Sequence, residues 1–179
     1  IYYILIYLFI YNKKNIYLLI IIVSHKLYPL IDSSFTVTYL DVGQGDSIFI
    51  KYPHNQGNIL IDTGGIVNSD YQVAINKTIP YLKSFGVTKL DYLILTHGDY
   101  DHMGDSNVLV NNFKVKNVVF NCGPINTLEK ELNKLLKEKQ IPSYYCINKI
   151  SIKNNKLEFL NTKHYDNEND NSNVIYTNY

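Results

Sequence analysis

The hydrophobic pattern divides the chain into an almost wholly apolar start and a longer part in which short apolar runs alternate with polar turns. Residues 1–11 and 16–23 are apolar or aromatic, and a polar segment containing Lys13 and Lys14 separates them. Neither run reaches the roughly 20 apolar residues that a membrane-spanning helix needs. We interpret residues 1–11 as the end of one membrane helix and residues 16–31 as a short last span or an interfacial segment. A secretory signal peptide is the alternative, because a basic pair before an apolar run is typical of one.

From residue 34 onward the pattern predicts short strands closed by turn residues. Residues 35–40 alternate with period two and lead through a glycine-rich turn into residues 47–52, which predicts a β-hairpin. Further strands are predicted at residues 58–61, 90–96, 115–120, 144–147, 157–160 and 174–179. We therefore expect a membrane-associated segment at residues 1–33 and an α/β domain at residues 34–179.

Two helices are predicted between these strands. Thr78 is expected to cap a helix that carries Pro80 in its first turn and ends near Gly86. Asn126 and Glu129 have the spacing of a capping box, which opens a second helix. That helix is expected to end near Gln140 and to bury one leucine face, formed by Leu128, Leu132, Leu135 and Leu136.

Composition limits the possible partners more than it identifies them. The 179 residues are enough for one ordinary domain with a core, and the formal net charge is only +1. Every basic residue is Lys, so charge gives no independent argument for nucleic-acid binding and excludes bidentate guanidinium recognition of phosphate. Cys122 and Cys146 are too few for a disulfide scaffold, which favours buried reduced thiols and leaves a single bridge open in an oxidising compartment.

The strongest chemical signal follows the predicted strand 90–96. Five side chains able to bind a metal lie within nine residues, 97–105, at the expected carboxyl edge of the sheet. Residues two apart in an extended loop point the same way, so we expect His97 and Asp99 to face one ion and Asp101 and His102 to reach a second. Imidazole with carboxylate suits zinc or manganese, and Asp101 is the candidate to orient or deprotonate the attacking water. A polar surface turn is the alternative interpretation.

Three further acids end short predicted strands and are expected to converge on the same edge. These are Asp41, Asp46 and Asp62. Each alone is more often a turn former that bonds its own backbone than a metal ligand. We therefore assign them supporting roles at most.

Three motifs in order, at residues 39–47, 60–65 and 95–104, resemble the metallo-β-lactamase-fold domain of the ComEC-type competence proteins, which are membrane proteins of bacterial DNA uptake. Residues 169–174 resemble a fourth block of that family. The resemblance implies an α/β metallo-β-lactamase-like αββα sandwich from about residue 35 onward. It also implies a metal motif formed by His97, Asp99, Asp101 and His102, with Asp62 and Asp46 orienting the ligands.

Beyond its fourth block, the same family continues into a Gly-Asp turn that bridges two ions and then a His-His-Gly-Ser motif, and no segment of the 179 residues matches either of these later blocks. We therefore expect a C-terminally incomplete domain that holds fewer than the two divalent ions of a complete one. The function that the resemblance implies for the complete domain is that of a nuclease-like metallohydrolase, which hydrolyses phosphodiester bonds of single-stranded DNA. Two lysines, Lys13 and Lys14, hint at a cytoplasmic loop and so at a domain on the extracellular face of the cell membrane.

Two other functions remain open from the sequence. One is a stand-alone metallo-β-lactamase-fold hydrolase of a small ester, thioester or lactam. The other is a catalytically incomplete fragment that serves as an interaction module. Asp99, where many relatives carry a second His, and the Gly43–Asp46 turn favour the competence family over the stand-alone hydrolase.

Overall fold

Six α-helices and nine β-strands form within residues 2–67, 70–160 and 163–178, which the computed structural model describes. The helices are α1 (Tyr2–Asn12), α2 (Asn15–Ile31), α3 (Ile79–Ser84), α4 (Tyr100–Met103), α5 (Ser106–Asn112) and α6 (Thr127–Glu138). The strands are β1 (Thr36–Tyr39), β2 (Ile48–Tyr52), β3 (Gly57–Ile61), β4 (Tyr92–Ile94), β5 (Val118–Phe120), β6 (Ser143–Tyr145), β7 (Lys149–Ile152), β8 (Asn155–Phe159) and β9 (Ile175–Thr177). Ile1 and Tyr179, the outer ends of two predicted elements, lie outside the described residues.

The strands form two sheets. The larger has the order β1-β2-β3-β4-β5-β6, in which β1, β2 and β3 pair antiparallel and β3 to β6 pair parallel. The predicted hairpin is confirmed, with Val37 opposite Ile50. The smaller sheet, β7-β8-β9, is antiparallel throughout.

The sheets stack face to face, and helices cover the other face of the larger sheet. Between the sheets, Ile59 and Ile94 of the larger sheet share one buried cluster with Ile152 and Leu157 of the smaller. On the opposite face, Leu60 and its neighbours pack in a second cluster that includes residues of α3, α5 and α6. Strands β3, β4 and β5 are therefore buried on both faces, which explains the unbroken apolar runs Ile59–Ile61, Leu93–Ile94 and Val118–Phe120. The described residues thus build three of the four layers expected from the resemblance.

The start of α3 differs from the prediction. Thr78 has helical backbone angles and no capping hydrogen bond, because a π-helical turn at Ala74–Thr78 precedes α3. The backbone N–H of Ala74 donates to Asp105 Oδ2 at 2.7 Å, so a distant carboxylate satisfies the start of the helix. The sequence around Thr78 does not indicate that contact.

The second predicted helix is confirmed as α6. Asn126 and Glu129 form a reciprocal capping box, and the predicted leucine face packs into the core with Leu132 and Leu136 fully buried. Helices α4 and α5 and strand β7 are additions that the pattern does not predict. Strand β7 spans four residues and forms only through its antiparallel pairing with β8.

Helices α1 and α2 are apolar and largely exposed, with Pro29 the buried residue of α2. Among the described residues, neither these nor any other helix has the length and hydropathy required to cross a membrane. The C-terminal end of α2 is attached to the domain by an ion pair between Asp32 and the buried Lys51 and by a 2.7 Å hydrogen bond from His54 N to Asp32 O. Membrane association of residues 1–33 stays a prediction.

Candidate metal centre

The candidate ligands gather at the carboxyl edge of two adjacent parallel strands. Asp62 directly follows β3, and His97 lies three residues after the end of β4. The backbone differs from the extended loop expected: Asp99 is the N-cap of α4, and Asp101 and His102 belong to this single helical turn. The expectation that side chains two residues apart point the same way along an extended loop is therefore wrong for Asp101 and His102. The helical turn forms because the N–H groups of His102 and Met103 donate to Asp99 O at 3.0 and 2.9 Å.

The imidazoles and carboxylates approach one another in pairs. His97 Nε2 lies 3.5 Å from Asp99 Oδ2, and His102 Nε2 lies 3.9 Å from Asp101 Oδ2. The two rings are neighbours, with centroids 3.9 Å apart. His97 is buried, whereas the side chains of Asp99 and Asp101 are 47% and 41% exposed and therefore accessible to a substrate. Within residues 2–67, 70–160 and 163–178, no three His, Cys, Asp or Glu side chains already surround a point suited to a metal ion.

Asp62 connects the two strand ends beneath the ligands. Its Oδ1 accepts a 2.8 Å hydrogen bond from Thr96 N, and its Oδ2 accepts from Thr96 Oγ1 at 2.6 Å and faces His102 Nδ1 at 2.9 Å. Asp62 is 1% exposed and has a φ of +57°, a left-handed conformation that Asp tolerates better than most residues. The hydrogen bond to Asp62 raises the pKa of His102 above its ordinary value, although burial opposes the shift.

Thr96 is a site residue that sequence reasoning missed. Its hydroxyl donates to Asp62 and lies 3.0 Å from His97 Nδ1, so it can accept a hydrogen bond from that ring. Nδ1 of His97 is thus held by Thr96 and Nδ1 of His102 by Asp62, which leaves Nε2 of each ring facing a carboxylate. This is the orientation that a hydrogen-bonding partner behind each ring gives to metal-binding histidines. The only sequence signal was a hydroxyl residue directly before His97.

Of the other two turn acids, one lies at the site and one does not. Asp46 N donates to Asp101 O at 3.3 Å, and the Asp46 charge contributes to raising the pKa of His102. Gly45 makes this approach possible, because a Cβ there would lie 1.6 Å from Asp101 O. Asp41 instead pairs with Lys77 at 3.2 Å on the exposed surface, which corrects the supporting role expected for it.

A second support for the site comes from residues 168–173, which follow β8 in the chain. Asn173 donates from its N and Nδ2 to the carbonyl oxygens of Thr96 and Leu95, both at 2.9 Å. Glu168 Oε1 accepts from Gly98 N at 2.9 Å. Asn173 is buried, so this segment is a structural part of the site. Its resemblance to a fourth family block was the signal that pointed to it.

Cys122 and Cys146 are joined in a disulfide, which corrects the favoured expectation of reduced thiols. The bridge connects the segments that follow β5 and β6 across a sequence separation of 24 residues. Parallel pairing of β5 with β6 brings the two cysteines together, and sequence alone does not contain that proximity. His164 lies beside this bridge, exposed, with Nδ1 3.2 Å from Cys122 O.

Comparison with known proteins identifies the same family as the sequence motifs. A profile of the metallo-beta-lactamase superfamily matches residues 40–169. Among curated proteins, ComE operon protein 3 of Bacillus subtilis (strain 168) is 36% identical over 115 residues, which cover 59% of this chain and 15% of that protein. Competence protein ComA of Neisseria gonorrhoeae is 32% identical over 82 residues, covering 46% of this chain and 11% of that protein. The resemblance to the competence proteins is thereby confirmed.

A solved structure described as the peroxy diiron species of the chemotaxis sensor ODP shares the fold. It superposes with a TM-score of 0.53 at 15% identity, covering 81% of this chain and 56% of the other. The chain spans only a small part of the curated relatives' length and about half of this structure. The matched profile, which covers most of the chain, and the shared fold together establish that the chain belongs to the metallo-β-lactamase superfamily.

Proposed function

We propose that the chain is the metal-dependent hydrolase domain of a bacterial DNA-uptake protein and that it cleaves phosphodiester bonds of single-stranded DNA. The observation that carries the proposal is the paired geometry at the sheet edge, where His97 and His102 each turn Nε2 toward an exposed carboxylate. The similarity to ComE operon protein 3 and to competence protein ComA supports a role in DNA uptake, and DNA is therefore the substrate that we propose.

The donor chemistry fits zinc or manganese, since two imidazoles and two carboxylates face one another at the edge. His97 with Asp99, and His102 with Asp101, are the residues that would hold divalent metal. Bound metal would activate water near neutral pH and stabilise the charge that develops on the phosphate. The assignment rests on these donors and on the partners behind them.

Other residues of the site have separate roles in the proposed reaction. Asp62 and Thr96 hold the imidazoles from behind and set which nitrogen each presents. Asp101 is 41% exposed and lies beside His102, so it is placed to accept a proton from an attacking water. The turn at Gly45 and Asp46 supports the Asp101 backbone and keeps that carboxylate in position.

Two features support attachment to the cell membrane with the domain on the extracellular face. The exposed apolar helices α1 and α2 precede the domain, and the end of α2 is attached to it through the Asp32–Lys51 ion pair. The Cys122–Cys146 disulfide is typical of an oxidising compartment rather than of the cytoplasm.

The deciding experiment measures cleavage of a fluorescent single-stranded oligonucleotide by the chain with manganese or zinc. We expect metal-dependent cleavage that is lost in Asp101→Asn, with the circular dichroism spectrum unchanged. Asp70→Asn, which removes an exposed carboxylate elsewhere, is the matched control and should retain activity. Hydrolysis of a small ester, thioester or lactam without cleavage of DNA would contradict the proposal and support the stand-alone hydrolase.

One observation favours a second candidate, a non-enzymatic interaction module. Among the described residues, no three candidate ligands already surround a metal position. Calorimetry that detects no metal binding at micromolar concentration would favour this candidate over both hydrolases.

A further inference from the structure

A cluster of lysines occupies the edge of the larger sheet opposite the candidate metal centre. Leu90 and Val115 form an isolated parallel bridge just before β4 and β5, with Leu90 N donating to Lys114 O at 2.8 Å and Lys116 N donating to Leu90 O at 3.0 Å. This bridge brings Lys89, Lys114 and Lys116 together, and we refer to these three residues as the basic edge. Lys114 and Lys116 are exposed and Lys89 is half-buried.

The basic edge carries more positive charge than its own neighbours neutralise. Among the residues that the structure describes, Asp91 is the carboxylate that faces the basic edge, and Lys116 Nζ donates to Asp91 Oδ1 at 2.7 Å. Lys89 lies against Lys116, and this neighbour holds the pKa of Lys89 below its ordinary value. Three ammonium groups thus meet one carboxylate, an arrangement that an external anion would relieve.

The basic edge and the attachment of the apolar helices are on the same side of the domain. A chain of hydrogen bonds connects them. Asn58 N donates to Asp91 Oδ2 at 3.0 Å, Asn58 Nδ2 donates to Asn55 Oδ1 at 2.8 Å, and the adjacent His54 N donates to Asp32 O at 2.7 Å, just after α2. The candidate metal ligands lie at the other end of β3, about 15 Å away for a strand of five residues.

We propose that the basic edge lies against the anionic headgroups of the bilayer that receives α1 and α2, which holds the candidate metal centre on the side of the domain facing away from the lipid. This inference rests on the membrane attachment in the proposed function and adds the lipid class and the orientation. DNA is the less suitable partner for this edge, because a strand undergoing cleavage must lie at the opposite edge, among the candidate ligands.

The test is flotation of the full chain with vesicles of phosphatidylcholine alone and of phosphatidylcholine mixed with phosphatidylglycerol. The variant Lys89→Gln/Lys114→Gln/Lys116→Gln removes the basic edge. The matched control, Lys130→Gln/Lys134→Gln/Lys137→Gln, removes the same charge from exposed positions of α6.

We expect the wild-type chain to bind both vesicles and to prefer the anionic ones by about tenfold or more at low salt. The basic-edge variant should keep its binding to neutral vesicles and lose the preference, while the α6 control retains it. Equal binding of wild-type to both vesicles, or equal loss in both variants, would overturn the inference and leave membrane attachment intact. Absence of binding to either vesicle would overturn both.

A parallel measurement of single-stranded oligonucleotide binding separates lipid from nucleic acid. If the basic-edge variant loses oligonucleotide affinity while its preference for anionic vesicles is unchanged, the edge is a nucleic-acid surface and the inference is wrong. If the vesicle preference alone is lost, the inference stands.

Discussion

Asp62 and His102 are 40 residues apart in the sequence, and Asp62 Oδ2 lies 2.9 Å from His102 Nδ1. The contact spans the ends of β3 and the helical turn after β4, so it exists only because these two strands pair. It also determines which nitrogen of His102 faces Asp101.

Two substitutions of Asp62 should distinguish its role in orienting His102 from its role in stabilising the fold. Asp62→Asn keeps a residue that tolerates the positive φ but removes the charge, and we expect metal affinity to fall about 10- to 100-fold with the fold retained. Asp62→Ala leaves the Thr96 donors unpaired and should lower the free energy of unfolding by about 2–4 kcal/mol. Calorimetry and urea unfolding measure the two effects. Unchanged metal affinity in Asp62→Asn would show that Asp62 does not orient a ligand.

The charge state of His102 should depend on Asp62. Because Asp62 raises the pKa of His102, the protonated ring in the metal-free protein stabilises the fold below the ordinary value of 6.5, and this contribution is lost as pH rises through the higher folded-state pKa. We expect an NMR titration of His102 to show a midpoint above 6.5 that falls in Asp62→Asn. A midpoint that does not move in the variant would refute the assigned cause.

Metal content provides the test of the candidate ligands. The described site offers two imidazoles and two carboxylates, too few donors to fill the coordination of two ions, so we expect fewer than two ions per chain at saturation. Elemental analysis after dialysis measures the ratio. His97→Asn or His102→Asn should reduce it further, whereas His164→Asn, at an exposed histidine beside the disulfide, should not. Two tightly bound ions per chain would contradict this prediction.

The Asp32–Lys51 ion pair should make the attachment of α2 sensitive to acid. Lys51 holds the pKa of Asp32 at about 2, below the ordinary value of 3.8. A lowered folded-state pKa means that the stabilisation is present above pH 3.8 and is lost as pH falls toward 2. We expect Asp32→Asn to be less stable than wild-type by on the order of 1 kcal/mol at pH 5, after allowance for solvent screening, and the difference to disappear near pH 2. Urea unfolding at several pH values checks this, and a difference independent of pH would count against it.

The disulfide should stabilise the fold by an amount that grows slowly with the length of the loop it closes. For a separation of 24 residues, we expect Cys122→Ser/Cys146→Ser to lower the free energy of unfolding by about 3 kcal/mol. Chemical reduction of the wild-type protein should have a similar effect and should leave the double variant unchanged. A loss below about 1 kcal/mol in the variant would indicate that the bridge does not constrain the unfolded chain as the loop-entropy argument requires.

Local pattern predicted most of the regular structure and the position of the candidate metal ligands after the strand that ends at Ile94. The hairpin 35–52, strand β3 and helix α6 follow from alternation, apolar runs and capping, which act between residues close in sequence. Predictions failed where a distant partner decided the outcome. The start of α3 depends on Asp105, and β7 depends on its pairing with β8.

The sequence by itself determined which side chains with metal-binding chemistry the chain carries, in what order and at which strand ends, because residue type and periodicity are local properties. Only the tertiary structure decided that Thr96, Glu168 and Asn173 support those side chains, that Asp41 lies elsewhere, and that Cys122 meets Cys146. Those outcomes depend on which strands become neighbours in the sheets. Strand pairing brings together residues that are far apart in the sequence, and the sequence around each of them does not indicate its partner.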